Sequence, residues 1–231
     1  TSGREWSPAL DDEMMSIASN QSTFALEQGQ AVVPGSRWQY DNMAAQVLEP
    51  VLTAATGDLV TFAHDRLLGP LGIGDLPWER DGSGNPLTYA GLTATADQLG
   101  VLGQLMLNRG MHAGEQIVPA AFIDEATRPA SDLTSGYGYL WWTNGEGHLI
   151  DESVAIGEQA HDVAREGRLA PSVPEDAYWA LGWGSQLMAM VPSKQMVAIR
   201  LGRRPRYPAE FTFDNFTATV SMSRLRTCSM I

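Results

Sequence analysis

The sequence predicts an α+β fold in which helices pack on an antiparallel sheet. Helical patterns occupy the middle of the chain and strand patterns come at its end, without the regular alternation of strands and helices that builds parallel sheets. The 231 residues are 44% apolar. This composition can bury a sizeable core, and the length suits one domain or a large piece of one.

Helices are predicted over six segments from apolar spacing, capping residues or composition. The segments are residues 11–18 (a helix or a turn), 43–56, 58–68, 95–108, 119–126 and 210–226. Asn42 is expected to cap the second segment, and Asp58 the third. Pro50 should bend or break the second helix, because proline removes a helical hydrogen bond.

Strands are predicted near the end of the chain, where aromatic and apolar residues are concentrated. The segments are residues 136–142, 184–191 and 195–201. A tight turn at 192–194 should join the last two strands in an antiparallel hairpin. Residues 144–177 are charged and punctuated by Gly and Pro, with a short helix expected around 153–166. A connection this long predicts either a lid over a site or a mobile insertion, and we favour the lid.

The charge of the chain narrows its expected partners. At a formal net charge of −12, most of the surface should repel nucleic acid and anionic membranes. Arg200, Arg203, Arg204 and Arg206 are the exception, as a site for a carboxylate or phosphate or as a solvated strand end. A single cysteine, Cys228, excludes an intramolecular disulfide and a cysteine metal cage.

No metal, no cofactor and no transmembrane helix are expected. His64 and His112 have no partners at the spacing of a metal site, and His148 and His161 lie in the 144–177 segment, where they could contact substrate. The chain has no run of about 18 apolar residues, the length that a transmembrane helix needs.

Tyr40 and Asn42 are the first candidate site residues, because they flank a loop-to-helix corner whose side chains can face a cleft. The dipeptide Pro34-Gly35 predicts the turn before them. A tyrosine hydroxyl acts as a general base only when positive charge lowers its pKa from about 10. Two plainer interpretations stay open: Tyr40 could be an amphipathic residue packed at a helix start, and Asn42 only a cap.

Six short sequence segments, which occur in the same order as in the family, resemble the carboxyl-terminal two thirds of a β-lactamase-related serine hydrolase. They are residues 1–6, 38–42, 69–73, 91–97 with 114–119, 137–142 and 182–186. The similarity is greatest to the esterase and 6-aminohexanoate-dimer hydrolase branch. It implies a β-lactamase/transpeptidase-like fold that is incomplete at its N-terminus: a single partial domain, helical over about 1–135 and sheet over about 136–231.

The resemblance implies acylation of a serine in a Ser-x-x-Lys motif, without a cofactor. Lys194 is the only lysine and Val191 stands three residues before it, so the motif is absent from this sequence. The nucleophile and its lysine are therefore expected upstream. Tyr40 matches the tyrosine that shuttles the proton, and Asn42 the asparagine that orients the lysine and the substrate. Asp41 replaces the usual alanine and is expected to point outward.

Residues 183–185 resemble the third motif of the family. The Trp183 N–H, on a strand edge, is the expected oxyanion donor, and Gly182 and Gly184 leave room for a close approach. Ser185 and Gln186 complete the expected substrate-binding set. Because no cation is present there, esters or small amides are favoured over β-lactams. Trp183 could instead be a core aromatic.

The alternative to a hydrolase fragment is a non-catalytic binding protein or pseudo-enzyme on the same scaffold. The expected partner is a small-molecule ester or amide. If the amino-terminal strands of the family are missing, a sheet edge stays unpaired, which predicts poor solubility or self-association. Family members are often exported, so a periplasmic or secreted location is the expectation from resemblance.

Overall fold

The structure is a computed structural model that describes residues 1–151, 163–202 and 212–222. The chain divides into two compact units, Thr1–Thr95 and Ala96–Ile231. Among the residues described, every helix is too short or too polar to cross a membrane. The predicted α+β class, with helices and antiparallel sheets, is confirmed.

The first unit is built from short helices. They are α1 (Pro8–Ser16), α2 (Gln21–Glu27), α3 (Asn42–Gln46), α4 (Leu48–Thr56) and α5 (Leu59–Ala63), followed by one π-helical turn (His64–Leu68). Side-chain caps start most of them: Asp41 and Asp58 accept the backbone N–H groups of Ala44 and Thr61 at 3.0 and 2.7 Å. These bonds satisfy donors that the first turn of a helix otherwise leaves free.

The predicted helix over 43–56 is two helices in the structure. It breaks at Val47, and Pro50 lies in the first turn of α4, where its missing N–H costs least. The break by proline is therefore confirmed. The predicted cap is wrong: Asp41 caps α3, and Asn42 is its first helical residue. Helix α2 was not predicted.

A small apolar core and a polar network hold the first unit together. Buried apolar side chains from α1, α2 and α3 form the core: Met14, Ala25 and Met43. Beside it, the Ser22 hydroxyl donates to Glu49 Oε2 at 2.6 Å and accepts from Gln46 Nε2 at 3.0 Å. The Thr53 hydroxyl donates to Glu49 Oε1 at 2.9 Å. Glu49 and Gln46 are both buried, so each needs these partners.

The second unit combines helices with antiparallel strands. Its elements are α6 (Ala96–Leu107), β1 (Met111–His112), β2 (Glu115–Gln116), α7 (Ala120–Ala126), β3 (Trp142–Thr143), β4 (Gly147–Asp151), β5 (Val163–Gly167), β6 (Tyr178–Gly182), β7 (Gln186–Val191), β8 (Met196–Arg200) and α8 (Phe213–Met222). The main sheet has the order β3-β6-β7-β8. Its β7–β8 hairpin, with a 3₁₀ turn at Pro192–Lys194, confirms the prediction.

The main sheet is buried by helices α6 and α8, which both contact β7 and β8. Trp179 on β6 is completely buried, and its indole N–H donates to the Thr217 hydroxyl of α8 at 3.0 Å. On the α6 side, Gly103 lies so close to the sheet that a Cβ there would stand 2.5 Å from Cγ1 of Val197. Only a residue without a side chain allows this approach.

Three predictions for the second unit need correction. The strand over 136–142 is reduced to β3, with a single bridge between Tyr137 and Trp142. Within the predicted helix around 153–166, the part described is instead strand β5, which pairs with β4; residues 153–162 lie outside the described residues. Strand β6 was not predicted at all, although it supplies the most buried tryptophan of the sheet.

Candidate functional site

The first candidate residues, Tyr40 and Asn42, belong to a segment that runs into α3. A small surface pocket on one side of it is lined by residues from two stretches of the first unit: Thr1, Ser2, Gly3, Arg4, Trp6, Ala31, Val32, Arg37, Gln39 and Asp41. From the segment itself, only the odd-numbered side chains line this pocket. Trp38 and Tyr40 are not among the residues that line it.

The Asn42 side chain is held by helix α1. Its Nδ2 donates to Asp11 Oδ2 at 2.7 Å and faces Met15 Sδ at 3.8 Å. Asp11 and Met15 are four residues apart, so they stand above one another on one face of α1. The amide nitrogen of Asn42 is thus engaged on α1, so its carbonyl oxygen is directed away from that helix.

The Asp41 carboxylate is engaged at the start of α3. Its carboxylate turns back onto α3 and accepts the N–H of Ala44. Burial raises the pKa of Asp41, while the hydrogen bonds from the α3 backbone lower it. The carboxylate that replaces the family's usual alanine therefore serves as the cap that begins α3 directly after Tyr40.

Asp11 is the functional candidate that the sequence did not reveal. It is 8% exposed, and its Oδ1 has no hydrogen-bond partner in the part of the chain that the structure describes. Burial raises its pKa to about 6 and the charge of Asp41 adds to this, while the Asn42 side chain and the backbone N–H groups of Met43 and Asn42 oppose it. One signal was available: Asp11 lies three residues before the buried Met14, which places it on the inner face of α1.

The second set of candidates, residues 182–186, forms the turn between β6 and β7. Gly182 pairs with Gln186, so Trp183 lies in a three-residue hairpin turn and not on the predicted strand edge. Gly184 and Ser185 have φ of 76° and 66°. The second value is uncommon for a residue with a side chain and indicates a turn fixed by its surroundings.

Two side chains fix this turn from outside. Arg200 on β8 donates from Nη1 to the Ser185 carbonyl at 2.6 Å. The Gln186 amide exchanges two hydrogen bonds with the backbone of Gly202, at 2.6 and 2.9 Å. Trp183 at the tip is 80% exposed, so it is not a core aromatic. The turn is thus fixed to β8 and to Gly202, and it presents an indole to solvent.

The remaining candidates add no further site within the described residues. Arg203, Arg204, Arg206 and His161 lie outside the described residues. His148 pairs with exposed Glu166 at 3.1 Å. Across the residues whose placement is described, no cluster of His, Cys, Asp or Glu could hold a metal ion.

The helices, the antiparallel sheet and the Tyr-x-Asn corner together define a β-lactamase/transpeptidase-like protein. The sequence profile described as Beta-lactamase matches residues 6–219. The chain therefore belongs to the β-lactamase family of serine hydrolases, as its sequence motifs indicated. A comparison with curated protein sequences finds no match.

Two solved structures are similar to this fold. One is a provisionally assigned 6-aminohexanoate-dimer hydrolase from Bacillus anthracis, with 20% identity, a TM-score of 0.70 and coverage of 96% of this chain and 57% of that one. The other is a provisionally assigned β-lactamase from Bacteroides dorei DSM 17855, with 16% identity, a TM-score of 0.54 and coverage of 87% and 62%. The chain thus spans less than two thirds of either protein, and at these identities the likeness shows the fold alone.

Proposed function

We propose that the chain is part of a serine hydrolase that cleaves carboxylic esters or small amides through an acyl-enzyme. The nucleophilic serine and its lysine are supplied by sequence upstream of Thr1. The observation that carries this proposal is the Tyr40-x-Asn42 corner inside the family match, with the Asn42 amide held in one orientation by α1. The absence of Ser-x-x-Lys from these 231 residues supports an upstream nucleophile.

Each candidate residue has a role in this reaction. Tyr40 takes the proton from the serine as it attacks and returns it to the leaving group. The Asn42 carbonyl oxygen accepts a hydrogen bond from the lysine ammonium or from an N–H of the substrate. The Trp183 N–H donates to the oxyanion that forms on the acyl carbon. Gly182, Gly184, Ser185 and Gln186 shape the substrate-binding edge beside that donor.

The preference for esters and small amides follows from the hairpin turn between β6 and β7. Arg200, the charged side chain that contacts it, is engaged by the Ser185 carbonyl. This hydrogen bond uses one of the five N–H donors of the guanidinium, so the preference rests on the acyl group, which needs no cation when it is uncharged. Exposed Trp183 adds an apolar surface for such an acyl group.

Activity-based labelling tests the proposal. The native reading frame, including the sequence upstream of Thr1, is expressed and treated with a fluorophosphonate or a fluorescent penicillin. We expect labelling by the fluorophosphonate, weak labelling by the penicillin, and no labelling of the 231-residue chain alone.

Tyr40→Phe should lower the turnover of p-nitrophenyl butyrate on the order of 100-fold or more, since it removes the acid–base group. Serine-dependent turnover by the 231-residue chain alone would contradict the upstream nucleophile.

A second candidate function is a binding protein or pseudo-enzyme on this scaffold, which the absent Ser-x-x-Lys motif favours. The upstream reading frame distinguishes the two. A Ser-x-x-Lys within about 60 residues of Thr1 supports the hydrolase, and a reading frame without one supports the binding protein.

We also propose that the outer edge of β8 takes up a further strand. In the described part of the chain β8 pairs with β7 alone, and an open strand edge is a template for pairing with another chain. The isolated chain should then self-associate in light scattering, and the upstream sequence should suppress this. A clean monomer with two-state unfolding would contradict the proposal.

A further inference from the structure

Asn42 is held in a way that its family role does not require. Both contacts of its amide nitrogen go to one face of α1, to Asp11 Oδ2 at 2.7 Å and to Met15 Sδ at 3.8 Å. An ionised carboxylate only accepts hydrogen bonds, and a thioether sulfur is a weak acceptor. The group that faces α1 must therefore be the NH₂ of Asn42, which directs the carbonyl oxygen away from α1.

Holding Asn42 in this way is costly for the fold. Asp11 is 8% exposed, and its Oδ1 has no partner among the described residues. Within the described part of the chain, the titratable group that shifts its pKa by charge is Asp41, from the segment before α3, and it carries the same charge. Tyr89, which also lies near Asp11, is neutral because its own pKa is raised by burial and by Asp11. The backbone N–H groups of Met43 and Asn42 lower the pKa of Asp11 as the Asn42 side chain does, but burial outweighs them. A buried carboxylate whose desolvation exceeds its compensation destabilises a protein. Such a cost at a candidate site indicates a function for the charge.

We propose that Asp11 is a positioning residue. It holds the Asn42 amide in one orientation (the lock), so that Oδ1 of Asn42 remains an acceptor for the substrate N–H or for the lysine ammonium group. This inference rests on the proposed function for its catalytic consequence, but not for its structural one. Asp11 itself contacts neither the substrate nor the serine and acts only through Asn42.

The lock should open in acid. Once Asp11 is protonated, its hydroxyl can donate a hydrogen bond, and the amide of Asn42 can rotate to present its oxygen to α1 instead. Burial raises the pKa of Asp11 to about 6, so this change falls within the range in which a hydrolase is normally assayed. Asp41 and Tyr89 are the other titratable groups near Asp11: the charge of Asp41 favours protonation of Asp11, whereas Tyr89, whose pKa is raised, stays neutral in this range.

The structural half of the inference is tested on the 231-residue chain by NMR. The side-chain NH₂ resonances of Asn42 are followed from pH 4.5 to 8 in the ¹⁵N-labelled protein (a range that brackets the Asp11 pKa). We expect them to shift with a midpoint near the Asp11 pKa of about 6. The shift should vanish in Asp11→Asn and persist in the matched control Asp12→Asn, which removes an exposed carboxylate from the same helix. No titration in the wild type, or the same midpoint in Asp11→Asn, would overturn the lock.

The catalytic half is tested on the protein with its upstream sequence. Asp11→Ala should lower kcat on the order of 10- to 100-fold, because it releases the amide from its working orientation. KM should change little. Asp11→Asn should recover much of this loss, since an amide oxygen at position 11 can still accept from Asn42, and should remove the acid limb of the pH profile that belongs to Asp11.

The outcomes separate the lock from the hydrolase. If the NMR titration behaves as expected but the protein has no hydrolase activity, the orientation of Asn42 by Asp11 is supported and the proposed function is contradicted. An active hydrolase whose kcat is the same in Asp11→Ala overturns the positioning role, even where the NMR titration is present.

Discussion

The two compact units bury different kinds of side chain. In the first, six polar or charged residues are buried: Asp11, Gln21, Ser22, Gln46, Glu49 and Asp81. In the main sheet of the second, strand β7 buries an apolar run, with Leu187, Met188, Ala189, Met190 and Val191 all under 9% exposed. The first unit adds hydrogen bonds of buried polar side chains to its apolar core, whereas the sheet is held by apolar burial and its backbone ladder.

The reason for the difference lies in the length of the elements. Helices of five to nine residues, as in α1 to α5, are too short to be stable alone and present little apolar face. Side chains such as Asp81 compensate: its carboxylate accepts the backbone N–H groups of Gln21, Ser83 and Asn85 at 2.9 Å each. Burial alone would raise the pKa of Asp81, but these bonds lower it overall. Polar burial in the first unit therefore stabilises loops as well as helices.

The largest expected effect is in the sheet. Trp179→Ala should lower the free energy of unfolding by about 3–5 kcal/mol, since it removes a completely buried indole and leaves the Thr217 hydroxyl without its partner. Urea unfolding followed by circular dichroism measures it. The control is Trp183→Ala, where the indole is 80% exposed and a change within about 0.5 kcal/mol is expected. Equal effects of the two variants would show that apolar burial does not govern this unit.

The polar network of the first unit should give the next effect. Glu49→Ala removes the acceptor of the Ser22 and Thr53 hydroxyls and leaves a cavity. We expect a loss of about 2–4 kcal/mol in unfolding free energy. Glu13→Ala, on the exposed side of α1, should cost under about 0.5 kcal/mol. A Glu49→Ala protein as stable as its control would remove the distinction drawn between the two units.

Asp11 should make stability depend on pH. Its pKa is about 6 in the folded chain and close to 3.8 when unfolded, so the folded state binds the proton more tightly. The associated stability is present below about pH 4 and is lost as the pH rises to about 6. Asp11→Asn should abolish this loss and raise the unfolding free energy at pH 7 on the order of 1–3 kcal/mol. Unfolding of both proteins between pH 4 and 7 tests it, and a less stable Asp11→Asn at pH 7 would refute it.

The smallest effect concerns the cap before the candidate tyrosine. Asp41→Ala removes the acceptor of the Ala44 N–H and should cost about 1 kcal/mol. Asp41→Asn keeps an acceptor oxygen and should recover most of that cost. Thermal unfolding of the two variants decides the matter. If both lose the same stability, the charge of Asp41 matters and its capping bond does not.

Local signals predicted those elements whose determinants are adjacent in sequence. The α5 cap at Asp58, the break before Pro50 and the hairpin turn at Pro192–Lys194 are all confirmed, because each follows from backbone chemistry within a few residues. The family was also visible from ordered motifs. By contrast, the cap of α3 was placed one residue too late, since Asp41 and Asn42 are equally good capping residues.

What sequence could not supply are pairings between distant segments. Strand β5 pairs with β4 across residues 152–162, and a charged run such as 163–167 carries no strand signal of its own. The contact between Asp11 and Asn42 spans 31 residues, so no local sequence pattern near either residue predicts it. Motifs predicted Tyr40, Asn42 and residues 182–186 as candidate site residues, which stay predictions, while the contact of Asp11 with Asn42 came only from the fold.

The contact of α6 with β8 limits which sequences this scaffold tolerates. A methyl group on residue 103 would meet Cγ1 of Val197, so the two positions have to change together. In a selection from a library randomised at both, glycine at 103 should be recovered with valine at 197. Alanine at 103 should survive only beside a smaller neighbour, so the two positions behave as a single unit of variation.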